Sequence, residues 1–226
     1  MRLPADESHH AMAVLRLGRG DELTVTDGSG RVARCVLRGG DAETVEAAVL
    51  EVTTHRRPRP ELAVFQGAAK GTKLHALTER LAALGVAEMR VFGSERSVVA
   101  WDEPKRARLE ARWGALARAG AKQSRNPWVM GTGAPLRWGE LVARVALEGH
   151  AVVLWEEATE PLRSALGDAA RIALVVGPEG GLARHEAAEL ADAGALLASL
   201  GPRILRTEEA AVVAAAGILW HFGAIG

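Results

Sequence analysis

Two stretches near the end of the chain decide its reading: Ile172-Ala173-Leu174-Val175-Val176-Gly177-Pro178-Glu179-Gly180-Gly181, and Leu196 to Leu200 followed by Gly201-Pro202-Arg203-Ile204-Leu205-Arg206-Thr207-Glu208. Each begins as a short apolar run, breaks at glycine and proline, and leads into an Ala-rich helical pattern. A buried apolar run of this length reads as a strand covered on both faces. Two strand-to-helix junctions in one sheet, both turning on small residues, make a crevice where a small molecule can touch backbone.

The same alternation extends back through the chain. Leu62–Phe65, Ala87–Phe92 and Ala151–Trp155 read as further strands, and Thr72–Leu84, Pro104–Ala119, Arg184–Ala193 and Thr207–Phe222 as helices. Strand and helix in turn imply a mainly parallel sheet with helices on both faces. The first quarter has a different texture. A short helix over residues 8–17 precedes apolar runs at Glu22–Thr26, Val32–Leu37 and Thr44–Val52, joined by Gly-rich turns. That spacing predicts a small antiparallel barrel or sheet. Thr53–Pro60, with two prolines, three arginines and no large apolar residue, marks a boundary. The expected domains are residues 1–58 and 59–226.

Of the 226 residues, 48% are apolar and 25% charged, which is enough for a packed core and argues against wholesale disorder. Basic and acidic residues balance at 28 each, but unevenly along the chain. Residues 59–130 hold 13 basic and 7 acidic side chains, whereas residues 131–226 hold 7 and 12. A basic middle fits either a patch for an anionic partner or a solvated helix face. Cys35, the single cysteine, excludes an internal disulfide and reads as a small packed hydrophobe. No run approaches the ~18 apolar residues of a membrane helix. Met1–His10 lacks the apolar segment of a secretory leader, so a cytoplasmic location is expected.

The loop chemistry excludes two familiar sites. Gly177–Gly181 lacks the Lys and Ser/Thr of a phosphate-binding loop, its glycine spacing does not match a dinucleotide site, and Glu179 would repel a pyrophosphate. A neutral or partly cationic ligand suits it better. In the second loop Thr207 is placed to cap a helix, with Glu208 and Glu209 complementing the dipole of the first turn. Arg206, a cation beside a helix N-terminus, is locally unfavourable there. Glu179, Glu208 or an anionic substrate is expected to hold it.

The pair VVGPEGG and LGPRILRTE resembles the signature of the SPOUT methyltransferases and, more narrowly, of the RsmE family. The resemblance runs nearly end to end. It includes His9-His10 with Val14–Leu17, Gly20–Leu23, Asp27-Gly28, Lys70-Gly71 with Lys73, Leu84–Val86, Ser94–Val98 and Gln123–Arg125. It departs at Glu209, where the family usually has Thr, at Ala83, and in a shortened loop from Gln123 to Pro127.

Such a resemblance implies an α/β fold, a trefoil-knotted, mainly parallel sheet with a small PUA-like β-barrel domain before it. The activity it implies is S-adenosylmethionine-dependent methylation of N3 of a uridine in 16S ribosomal RNA, with no metal. By the same resemblance the cofactor set would be Leu154, Trp155, Glu156, Val176, Gly177, Pro178, Glu179, Gly180, Gly181, Leu200, Gly201, Ile204, Leu205, Arg206 and Thr207. Arg206 would stabilise the pyrimidine while Glu179 or Glu208 orients it or accepts its proton. RNA contacts would come from His10, Arg16, Lys70, Lys73, Arg80, Arg96, Lys122, Arg125 and Asn126. Leu219, Trp220 and Phe222 would serve either a homodimer or the chain's own core. Two alternatives stay open: a different RNA substrate, and an RNA-binding ribosome-assembly factor without transfer activity.

Overall fold

The structure, a computed structural model, describes residues 1–70, 72–97 and 101–226. Gly71 and Val98, both part of the resemblance, therefore lie outside the described residues. The chain divides into two compact units, Met1–Arg57 and Pro58–Gly226.

In the first unit, α1 (Ala5–His9) runs into one π-helical turn at His10–Val14. The helical stretch thus lies three residues earlier than the sequence pattern places it. It stops because Arg16 adopts a left-handed conformation (φ 55°), while the Leu15 and Leu17 amides bond back to the His10 and Ala11 carbonyls. Three antiparallel strands come next: β1 (Glu22–Thr26), β2 (Arg31–Gly40) and β3 (Val45–Thr54), in that spatial order. The start of the chain is tied to β3 through Leu3, Ala47 and a bridge between Arg2 and Glu46. Leu3, Ala11, Leu37 and Val45 form the small core. Cys35 is fully buried, and burial pushes its thiol up, away from reactivity.

The second unit holds β4 (Glu61–Gly67), α2 (Lys73–Leu84), β5 (Glu88–Phe92), α3 (Glu103–Ser124), α4 (Trp138–Leu147), β6 (Ala151–Leu154), β7 (Arg171–Val176), α5 (Arg184–Asp192), β8 (Leu196–Ala198) and α6 (Thr207–His221). The five strands are parallel, in the order β5-β4-β7-β6-β8. Alternation along each strand explains the unbroken apolar runs. Leu62, Val64, Val152, Ile172, Leu174 and Val176 pack with α2, α3 and α6 on one face. Ala63, Phe65, Val153, Ala173 and Val175 pack with α4 and α5 on the other. No helix among the described residues is long and apolar enough to cross a membrane.

The sequence pattern gives no helix between residues 127 and 150, yet α4 lies there. Its N-terminus has no Ser, Thr, Asp or Asn cap; instead the Glu140 carboxylate reaches back to the Arg137 amide at 2.6 Å. Leu141 and Val145, one turn apart, are its buried contacts. The helix expected over residues 104–119 runs on to Ser124, because Gly120 is needed for close packing rather than for a break. A Cβ there would lie 2.7 Å from the Glu79 carbonyl oxygen of α2.

An ionic cluster gathers where the strands begin. Arg171, at the start of β7, donates to Glu148 (2.7 Å) and Glu88 (2.8 Å), and Arg144 reaches the same Glu88 oxygen at 2.9 Å. Beyond β5, residues 131–136 run alongside its outer edge. The Gly131 carbonyl accepts from the Met89 amide at 2.8 Å, and the Leu136 amide donates to Val91 at 2.7 Å. Charge and coverage thus sit at the strand starts and the sheet rim, leaving the carboxyl ends of the strands for a site.

Candidate active site and family

Register places the strand ends in one row. Gln66 of β4 is level with Val176 of β7, Val176 with Leu154 of β6, and Leu154 with Ala198 of β8. Just beyond this row lie Gly67, Gly177–Gly181, Trp155-Glu156 and Ser199–Thr207. The two signature loops are therefore neighbours, brought together by parallel pairing.

Close backbone approach fixes the first loop. A Cβ on Gly67 would lie 2.2 Å from the Pro178 nitrogen and 2.6 Å from the Gly177 carbonyl carbon. Gly181 takes φ 69°, and a Cβ there would meet the Glu156 carboxylate at 3.0 Å. On one side the loop is held by the segment after β5. Arg96 donates to the Gly180 carbonyl at 3.1 Å, and the buried Glu186 carboxylate accepts from the Ala183 and Glu95 amides at 2.9 and 2.8 Å. On the other side Lys73, at the start of α2, donates to Glu179 at 2.5 Å and sits 3.6 Å from Glu208.

That ammonium corrects one expectation. Arg206 pairs with neither Glu179 nor Glu208, since Lys73 occupies the space between the two carboxylates. The Arg206 side chain is exposed and makes no hydrogen bond or ion pair among the described residues. A second correction concerns Thr207. It is the first residue of α6, Arg206 is the residue before the helix, and no side chain caps it. The Thr207 hydroxyl is engaged elsewhere: it donates to the Gly177 carbonyl at 2.5 Å and accepts from the Gln66 amide at 2.7 Å. Thr207 joins the two loops instead of ending a helix.

The Lys73 ammonium holds the Glu179 carboxyl below the usual carboxylate range, and Glu179 in turn raises Lys73. The signs fix the window. The contribution of a lowered carboxyl is present at neutral pH and lost as pH falls through its folded value; that of a raised amine is lost only as pH rises through its own. The tie is intact across neutral pH. Lys73→Met should weaken binding of the cofactor that the resemblance implies only by roughly threefold, the scale of a half-exposed ion pair. It should also leave the salt slope of RNA binding unchanged. A slope reduced by about one would make Lys73 a phosphate contact instead.

The remaining expected residues divide clearly. Leu154 and Leu200 are half-buried against the core, and Trp155 packs on the α4–α5 side. Leu205 is half-buried, while Ile204 is fully exposed, so the apolar slot is only partly built from side chains already packed. Asn126 is structural: its amide donates to Ala82 (3.3 Å) and its oxygen accepts from Trp128 (3.0 Å). Arg125 is exposed at a left-handed φ of 55° that ends α3. Lys70 and Arg80 are exposed, as is Lys122 on α3. His10 and Arg16 lie in the first unit. Gln66, Gly67 and Glu186 are site residues that the sequence pattern does not single out. A Gln-Gly pair closing an apolar strand is the available signal for the first two, and the Glu three residues after Ala183 for the third.

Comparison with known proteins bears directly on this arrangement. A family model described as an RNA methyltransferase domain matches residues 55–219, and one described as an RNA methyltransferase PUA domain matches residues 3–50. A ribosomal RNA small subunit methyltransferase E of Mycobacterium bovis is 38% identical, covering 95% of this chain and 84% of its own length. The chain belongs to the ribosomal RNA small subunit methyltransferase E family. A candidate methyltransferase of Legionella pneumophila, solved with its cofactor SAM, superposes with a TM-score of 0.88 at 26% identity, covering 98% of this chain and 91% of that one. The family enzyme of Neisseria gonorrhoeae, solved bound to S-adenosyl methionine, shares the fold with a TM-score of 0.88 at 24% identity, covering 98% and 92%. In this member of the methyltransferase E family, Gly67 and Gly177 let main chain approach main chain at the carboxyl ends of the strands.

Proposed function

We propose that this chain transfers a methyl group from S-adenosylmethionine (SAM) to N3 of a uridine in small-subunit ribosomal RNA. The observation that carries the reading is the meeting of the two signature loops at one sheet end, in a member of this family. The strand ends at Leu154 and Val176, the loop residue Leu200 and the glycine backbone of residues 177–181 fit a cofactor with a flat apolar base and a polar sugar. When bound, SAM supplies an electrophilic methyl on a sulfonium, which suits a pair of loops that bring Glu179 and Glu208 to the site and lack the lysine of a phosphate-binding loop.

N3 of uracil carries a proton and is a poor nucleophile until that proton is lost. Arg206, whose guanidinium makes no hydrogen bond or ion pair among the described residues, would stabilise the negative charge that develops on the ring oxygens. Of the two carboxylates, Glu208 is the one we assign as proton acceptor, because Glu179 is the one hydrogen-bonded to Lys73, which lies 2.5 Å from Glu179 and 3.6 Å from Glu208. Glu179 is bound to Lys73 and lowered, so its affinity for a proton is reduced. Glu208 keeps one oxygen, Oε2, without a hydrogen-bond partner among the described residues. Glu208 would take the N3 proton, and the freed electron pair would form the N–CH3 bond as the methyl–sulfur bond breaks and its electrons return to sulfur, leaving a neutral thioether.

Exposed Lys70, Arg80, Arg125 and the first unit, with His10 and Arg16, give the RNA its phosphate contacts in the cytoplasm. A homodimer would form through the outer face of α6. Leu219 is buried in the chain's own core and Phe222 packs against it, whereas Trp220 is 72% exposed and Val213, two turns earlier, 51%. Incubating unmodified small subunits with labelled SAM, then analysing the nucleosides, should yield 3-methyluridine. Label in another RNA would change the substrate, and SAM binding without transfer to any RNA would favour the assembly-factor reading.

A further inference from the structure

We infer that Gln66 is a positioning residue whose amide, acting through the Thr207 hydroxyl, sets the distance between the two cofactor loops. The inference rests on the methyl-transfer reading. Gln66 is fully buried at the end of β4, outside both signature loops. Its Nε2 donates to Thr207 Oγ1 at 2.7 Å and to the Gly67 carbonyl at 3.0 Å, and lies 3.5 Å from the Gly177 carbonyl.

The direction of this relay is fixed by chemistry. A carbonyl only accepts, so the Thr207 hydroxyl hydrogen is spent on Gly177. Thr207 Oγ1 can then only accept, and the NH2 side of the Gln66 amide must face it. Gln66 Oε1 is left buried without a partner among the described residues. An unmet buried carbonyl destabilises the fold, so an apolar side chain of the same length would serve packing better. The amide is therefore explained by what it holds. Strand β4 brings it, β7 delivers Gly177 and α6 delivers Thr207, so one side chain registers three elements at the cofactor crevice.

The test uses the full chain. Gln66→Met keeps volume and removes the relay. It should melt within a few degrees of wild type, while the SAM dissociation constant, measured by calorimetry, rises about tenfold. KM for SAM should rise in parallel, with kcat at saturating SAM changing less than threefold, because Arg206 and Glu208 are untouched. Thr207→Val should mimic Gln66→Met, Thr207→Ser should lose less than Thr207→Val, and the Gln66→Met/Thr207→Val double variant should lose no more than the worse single. Amide exchange across residues 177–181, without SAM, should quicken in Gln66→Met. Wild-type SAM affinity in a folded Gln66→Met chain, or additive losses in the double variant, would overturn the inference. If the wild-type chain binds no SAM, the methyl-transfer reading fails instead. The exchange measurement then decides alone: faster exchange supports the relay and unchanged exchange overturns it.

Discussion

A Gly67→Ala chain is expected to lose SAM affinity by about two orders of magnitude and to unfold more easily by about 3 kcal/mol, the upper range of overpacking. The new methyl group would sit 2.2 Å from the Pro178 nitrogen and 2.7 Å from its Cδ. One of those atoms is backbone and the other belongs to a closed ring, so neither can rotate aside. Gly67 does not occupy the left-handed region, so conformational strain plays no part and the effect is one of space alone. Gly139→Ala is the matched control. It lies near the start of α4 with nothing within 4 Å of its added carbon, and should be neutral or slightly stabilising. Calorimetric titration with SAM and thermal unfolding of both variants measure this. Wild-type affinity in Gly67→Ala would mean that the Gly177–Gly181 loop yields without consequence and is not the cofactor's wall.

Arg206→Ala is expected to lower kcat by about 100- to 1,000-fold, the loss typical of removing one group that stabilises developing negative charge. SAM affinity should stay within about twofold, because the exposed guanidinium holds nothing in place among the described residues. Stability should rise slightly, by about 0.3–1 kcal/mol, since the substitution removes a cation from the positive end of α6. Those three directions together separate a catalytic Arg206 from a structural one, for which stability would fall and activity with it. Single-turnover methylation at saturating SAM, with a parallel melt, reads all three.

Much of the fold is legible in the sequence because both faces of the sheet are covered. Full coverage makes β4 and β7 continuous apolar runs, and such runs stand out in a sequence. The glycine-proline breaks after them are equally plain. Helix α4 is not, because its N-terminus is closed by a glutamate reaching back to an arginine amide, a residue pair that carries no capping signature. The role of Thr207 is hidden for a related reason. A threonine before an Ala-rich run reads as a cap only if its hydroxyl has no better partner, and the Gly177 carbonyl, 30 residues earlier in the chain, is that partner. Lys73 and Arg96 look like surface cations in a basic stretch. Only the fold shows that one lies between Glu179 and Glu208 and the other grips the Gly180 carbonyl. Local pattern finds elements; long-range pairing assigns side chains their partners.

The irregular strip at residues 131–136 has a consequence for handling the protein. It takes up the Met89 and Gly93 amides and the Ala87 and Val91 carbonyls along the outer side of β5. Cut away or displaced, it would bare a row of unpaired peptide groups along β5, and edges so exposed pair with one another between chains. Fragments that end before residue 131 would lose this cover together with β6, β7 and β8, baring both sides of the β5–β4 pair, and should be insoluble.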